Sequence, residues 1–316
     1  MVDESLKKEE VRGRVLYWRS LSGLMTQMGL FDQDTVTLGE LYQSLERLDF
    51  RAAEKLVKKY SGLAADTREL TWELDVLNFG KKIGKRKLDL DSGYHLWEGF
   101  SSRLFFQGIP ELTADRIRKS FFSRLLAANR SLFEETRTKA GRSIGALYLL
   151  AGQPKNARRL LGKELKQYGE NWQTRLHLGN TNVLLKEIRG ARASFRQAYL
   201  LGLPESSYED ILEKELCEFL RGVDDTIWAF PEAFVSGTLP SLPFATRWDF
   251  DDFLNEFASD WSEVESDPEA RAHRFFVLLI VSQNRRLCEE KLLVEARKEM
   301  KRLNPRLHAE YMQSLD

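Results

Sequence analysis

Residues 142–165, RSIGALYLLAGQPKNARRLLGKEL, and residues 176–199, LHLGNTNVLLKEIRGARASFRQAY, carry one pattern twice. Gly145 is followed by Tyr148, Gly152, Ala157 and Leu161, and Gly179 by Val183, Ala191, Phe195, Ala198 and Pro204. Gly145 to Gly179, Ala157 to Ala191 and Leu161 to Phe195 are each about 34 residues apart, the period of a helix–turn–helix repeat. Such a unit cannot bury its apolar face alone. Stacking on neighbours then builds an elongated body with a groove for partners.

Each small residue has a physical task. Gly145 and Gly179 fall inside a first helix, where glycine costs about 1 kcal/mol relative to alanine. That cost is tolerated where a second helix approaches closely. Ala157 and Ala191 are the small residues on the second helix, with Leu161 and Phe195 one turn later. Gly152-Gln153-Pro154 supplies the turn, glycine as helix stop and proline as first-turn starter. Pro204 closes the second unit after Gly202.

This pattern resembles the tetratricopeptide repeat family over two units, roughly residues 138–205, about a fifth of the chain. It departs at Tyr168-Gly169-Glu170, which stands where a proline is usual, and at Arg175, where a tryptophan is common. The resemblance implies an all-α, right-handed superhelix of antiparallel helix pairs that acts as a protein–protein adaptor or scaffold. It also implies that first helices line a concave face. Arg142, Ala146 and Leu149 of the first unit, and Gln173, Leu176, His177, Asn180 and Leu184 of the second, would look into that groove. Some relatives grip a C-terminal carboxylate there. Asn180 and Lys139 suit such a clamp, whereas Leu176 and Ala146 do not. A peptide held by mixed contacts, with Arg142 and Asn180 as polar anchors, fits better.

The second helices face outward in this scheme. Lys155 and Arg189 share one repeat position, Arg158 and Arg192 another, so stacking aligns the four in a basic ladder beside Arg159, Lys163 and Arg196. A solvated face explains the ladder. The sharper reading is a surface for an acidic protein segment or a nucleic-acid backbone, with steep salt dependence. No aromatic interleaving accompanies it, which weighs against single-stranded nucleic acid.

The remaining composition agrees with an all-α chain. Its 316 residues suffice for a large core, and no alternating strand pattern appears. Forty-eight basic and 48 acidic residues cancel overall but not locally. The charge is about +3 over residues 1–141, +8 over 142–204, −15 over 205–270 and +4 over 271–316. Basic repeats are thus followed by an acidic segment, which points to attraction within one molecule or to an acidic external partner. Cys217 and Cys288 form no metal or redox spacing, and the charged start of the chain is unlike a signal peptide. The longest apolar run, Phe275–Val281, is too short to span a bilayer, so a cytoplasmic setting without membrane contact is expected.

Outside the repeats, residues 1–137 read as degenerate helical hairpins. The first 30 residues form one long helix, ended by Asp32-Gln33-Asp34. A helix begins at Thr37, another ends near Tyr60, and a further one runs from Asp66 to Phe79. Gly80–Lys87 breaks the helical run and reads as a solvated loop; a phosphate or nucleic-acid contact there would lack the serine or threonine and the spacing of a phosphate-binding loop. Helices follow over Ser92–Gln107 and Leu112–Ala128. Residues 206–248 hold an acidic capping helix (Ser207–Leu220) and an aromatic loop. Residues 249–316 are helical, broken near Gln283-Asn284. Pro231, Gly237, Pro240 and Pro243 rule out a continuous helix over Trp228–Phe250, yet Trp228, Phe230, Phe234, Phe244 and Trp248 there should lie against the body. Phe250, Phe253, Phe257 and Trp261 share one face of a helix with carboxylates opposite. It packs on its own protein or docks on the basic repeats.

Three patterns bear on chemistry. Gly141-Arg142-Ser143-Ile144-Gly145 spells a nucleophile elbow, but Glu134–Ala140 reads as charged helix, where that motif needs a strand. Asp89-Leu90-Asp91-Ser92-Gly93 begins like a calcium loop, but its glycine falls fifth rather than sixth. Ser92 is better read as a helix N-cap. His95, His177, His273 and His308 are scattered singly, so no metal, cofactor or catalytic site is expected.

Overall fold

A computed structural model describes residues 32–63, 70–84, 87–106, 108–132, 134–257 and 267–315. The helix read over the first 30 residues, and Trp261 on the amphipathic helix, lie outside these. The described chain is helical, with one isolated antiparallel bridge, Arg137 to Ser143. It divides into two compact units, Met1–Leu125 and Leu126–Asp316.

In the first unit, α1 (Asp32–Glu46) and α2 (Phe50–Leu63) pack as a hairpin, followed by α3 (Thr71–Ile83), α4 (Leu90–Phe106) and α5 (Glu111–Ala128), which crosses the division. Asp32-Gln33-Asp34 lies within α1. Thr37, Leu41 and Leu45 form a buried stripe at four-residue spacing, which carries α1 through the expected break. Gly80 likewise stays inside α3. A Cβ there would lie 2.4 Å from the Phe50 ring, so its absence is what lets the helix pass α2. The expected loop is therefore helical as far as Ile83. Asp89, not Ser92, caps α4, accepting from Ser92 N and Ser92 Oγ at 2.9 Å each. Phe79, Trp97, Phe100, Phe121 and Phe122 make the core, with Phe79 stacked on Phe100 at 3.9 Å.

The second unit begins with the repeated stretch. α6 (Ile144–Leu150), α7 (Pro154–Tyr168), α8 (Trp172–Leu184) and α9 (Ile188–Leu200) pack in succession, and α6 also touches α8. Both glycines sit at the close approach inside a hairpin. A Cβ on Gly145 would fall 2.6 Å from Leu161 Cγ, and one on Gly179 would fall 2.3 Å from Phe195 Cε1. The turns also repeat. Gly152 N donates to Leu149 O and Gln153 N to Tyr148 O, while Lys186 N donates to Val183 O and Glu187 N to Asn182 O, all at 2.9 Å. Gly152 (φ 68°) and Lys186 (φ 64°) both occupy the left-handed region, where lysine is strained.

Beyond Pro204 a 3-10 turn (Glu205–Asp210) and an extended stretch through Glu213 replace the first half of the expected acidic helix, leaving α10 (Lys214–Gly222). The aromatic stretch contains α11 (Ala229–Val235). Pro231 lies in its first turn, where a missing N–H breaks no bond. Then come α12 (Arg247–Phe257), α13 (Pro268–Gln283), α14 (Glu290–Leu303) and α15 (Pro305–Gln313). Asp267 and Asn304 cap α13 and α15, each followed by proline. α13 is buried on all sides from Phe275 to Ser282 and packs against α9, α11 and α14. One apolar cluster runs from Leu176 to Tyr311, so the second repeat and the C-terminal helices share a core across the expected boundaries at 205 and 248.

Candidate interaction surface

The first repeat is entered by a turn rather than a helix. Thr138 N donates to Arg142 O at 2.8 Å and Ile144 N to Thr136 O at 2.8 Å, so Glu134–Ala140 is not the charged helix expected. Glu164 of α7, 1% exposed, explains the difference. Its carboxylate accepts Arg137 Nε at 2.8 Å and Ser143 Oγ at 2.5 Å, pulling the turn onto α7. Thr136 Oγ1 adds a bond to Gln167 Oε1 at 2.7 Å. Ser143 also accepts from Ala146 N as the N-cap of α6. Its hydroxyl is thus spent on capping and on Glu164. Arg142 is half-buried, with its carbonyl closing the turn.

Asn180 is not open to a partner peptide, which corrects its reading as a groove anchor. It is 5% exposed, its Nδ2 donates to Asp210 O at 2.8 Å, and its Oδ1 accepts from Leu212 N at 2.8 Å. One amide thus grips two backbone groups of an extended segment, as a neighbouring β-strand would. His177 is held down in pKa by burial, against the pull of Glu164 and Asp210, so its imidazole is neutral. Gln173 and Lys139 are exposed, and among the described residues no hydrogen bond joins either to Asn180.

The ladder is half free and half occupied. Lys155 and Arg189 are exposed, and no ion pair engages them among the described residues. Arg158 reaches Glu187 Oε1 at 2.7 Å on the surface, while Arg159 and Lys163 lean on Glu134. Arg192 is the exception and corrects the picture of four equivalent exposed cations. It contacts Glu213 Oε2 at 3.1 Å, Glu215 Oε2 at 2.5 Å and Thr238 O at 3.1 Å. Desolvation works against its charge, yet the bonds to Glu213 and Glu215 raise its pKa overall. Arg196, one turn on and 6% exposed, donates Nη1 to Pro240 O and Ser241 O at 2.7 and 2.6 Å. Burial lowers its pKa to about 10. Together the two arginines strap residues 238–241 and the start of α10 onto α9.

The amphipathic helix α12 turns Phe250 and Phe253 into the shared core, and Phe244 packs on both rings. Arg247 ties it to Leu287 O and Glu289 in the turn after α13. What meets the basic repeats is therefore Glu213, Glu215 and the 238–241 carbonyls. The charge pattern of the sequence points to a pairing of basic and acidic stretches, but not to which residues pair.

Among the described residues no group of three or more His, Cys, Asp and Glu could hold a metal ion, and no helix is long and apolar enough to cross a membrane. No family model, curated protein or solved structure matches the chain.

Proposed function

We propose that this chain is a non-enzymatic, tetratricopeptide-like adaptor of the cytoplasm, with its helix pairs stacked in a right-handed superhelix. Its partner is an acidic protein segment that lies along the second-helix cations of the repeats, Lys155, Arg158 and Arg189. The observation that carries this reading is Arg192. At the ladder's last rung, the chain's own Glu213 and Glu215 already occupy the place an acidic partner would take. The preceding rungs offer the same chemistry to solvent. Arg158 gives up only an exposed ion pair with Glu187, a contact worth about 0–1 kcal/mol.

The test is fluorescence anisotropy of a labelled Glu/Asp-rich peptide titrated with the full chain, beside a DNA duplex of equal charge. Saturable peptide binding that weakens with salt and disappears in a Lys155→Glu, Arg158→Glu, Arg189→Glu variant of unchanged circular dichroism is expected. Peptide binding indifferent to those three reversals would sink the reading. Tighter binding of the duplex at the same residues would make nucleic acid the partner instead.

A further inference from the structure

A cavity of about 350 Å³ lies between the end of α9, the 3-10 turn and the first turns of α13. That volume is at the lower end of small-ligand sites, about 300–1,000 Å³. Two phenols line it. Tyr199 and Tyr208 are 6% and 7% exposed, and among the described residues neither hydroxyl has a hydrogen-bond partner. Buried hydroxyls normally find partners, so two open ones facing a cavity mark a place where a ligand would complete the bonding. Their rings are fixed by packing. Tyr199 stacks on Phe230 at 4.5 Å with 3° between planes, and Tyr208 leans on the same ring at 5.1 Å.

The charge of the lining is one-sided. Glu205, Asp267 and Glu269 all contribute to the wall. Glu205 accepts from the Thr226 hydroxyl, and Asp267 Oδ1 accepts from Glu269 N at 3.1 Å. Each carboxylate retains further lone pairs. Burial first, and then nearby negative charge including Glu269, push both phenols upward in pKa, so they stay protonated beside the acids. The cation in the wall is only partly offset: Arg274 Nη2 sits 2.8 Å from Glu299 Oε1, a carboxylate that Arg302 also engages. His273 adds no charge. Burial lowers its pKa, and its Nε2 lies 2.9 Å from Leu200 O.

We infer that this cavity binds an alkylammonium group, carried by a free diamine or polyamine or by the lysine side chain of a peptide. An ammonium has three donors and no acceptor, matching carboxylate and phenol oxygens. Its alkyl stem suits the Val277 and Leu278 wall, and aromatic rings favour a nearby cation. The site is separate from the basic ladder, and its success or failure leaves the adaptor reading untouched.

The experiment is calorimetric titration of the full chain with 1,5-diaminopentane, with spermidine and with the peptide Ac-Gly-Gly-Lys-Gly-Gly-NH2. Each probe is repeated with its amines acetylated. Saturable one-to-one binding is expected, lost on acetylation and weakened tenfold or more by Glu269→Gln. Tyr208→Phe, which removes one oxygen and keeps the ring against Phe230, should weaken it at least threefold. Binding of the free amines assigns the site to small polyamines, and binding of the lysine peptide alone assigns it to a basic protein segment. Lack of saturation with all three probes, equal binding of acetylated forms, or indifference to both variants overturns the proposal.

Discussion

Replacing Gly179 with alanine sets two opposite effects against each other. Alanine in a helix interior is favoured over glycine by about 1 kcal/mol. Against that, the new Cβ would stand 2.3, 2.6 and 2.9 Å from three atoms of the Phe195 ring. Phe195 is fully buried, so the ring cannot swing into solvent, and α8 and α9 must part. Overpacking of this kind costs about 1–3 kcal/mol. Because the overlap falls on a rigid ring at its closest, the larger half of that range applies. A net loss of about 1–2 kcal/mol is expected. Gly162 in α7 is the internal control, since a Cβ there would meet nothing within 4 Å. Gly162→Ala should raise stability by up to about 1 kcal/mol. Urea unfolding followed by far-ultraviolet circular dichroism reads both, and Gly179→Ala with Phe195→Leu should regain part of the loss. If Gly179→Ala moves the midpoint upward as Gly162→Ala does, the argument that glycine is kept for helix contact is refuted.

Three further outcomes follow from the same physics. Lys186→Gly should stabilise by about 1 kcal/mol, because it removes a non-glycine residue from the left-handed region, as seen by the urea midpoint. Asn180→Ala should cost about 1–3 kcal/mol, since it removes the two hydrogen bonds that hold the Asp210 carbonyl and the Leu212 N–H. Hydrogen exchange at Leu212 should accelerate in that variant, and unchanged exchange would contradict the clasp. His177 and His273 are both lowered in pKa by burial, so near and below pH 6.5 the unfolded chain binds protons that the folded chain refuses. Their contribution is present in full above the unfolded value and is lost as pH falls through about 6.5 towards the lowered folded values. A His177→Gln, His273→Gln variant should show a flatter stability profile over that window.

The repeat was legible because it rests on local, periodic needs. A glycine where two helices touch and an alanine on the following helix recur at fixed spacing. Gly145 and Gly179 do sit where helices touch, but the side chains nearest them are Leu161 and Phe195, one turn on from the alanines read as their partners. What escaped was non-local. Nothing near Glu164 in sequence says that it would draw Arg137 and Ser143 into a turn 27 and 21 residues away. Asn180 looked like a peptide anchor because its chemistry is that of one, and the peptide it holds is its own chain 30 residues on. Arg196 gave no signal at all, since an arginine on an apparently outward face reads as solvated until residues 240 and 241 come to rest on it. The cavity beside Tyr199 and Tyr208 likewise joins segments far apart along the chain.

The apolar cluster that runs unbroken from Leu176 to Tyr311 has a consequence for anyone dissecting the molecule. The two repeats are not a detachable cassette. A fragment cut after Pro204 would leave Phe195, Tyr199 and Leu200, now at most 6% exposed, as a raw hydrocarbon wound with α13 missing from it. Transplanting the repeats elsewhere therefore means carrying the C-terminal helices along, or redesigning that face with polar residues.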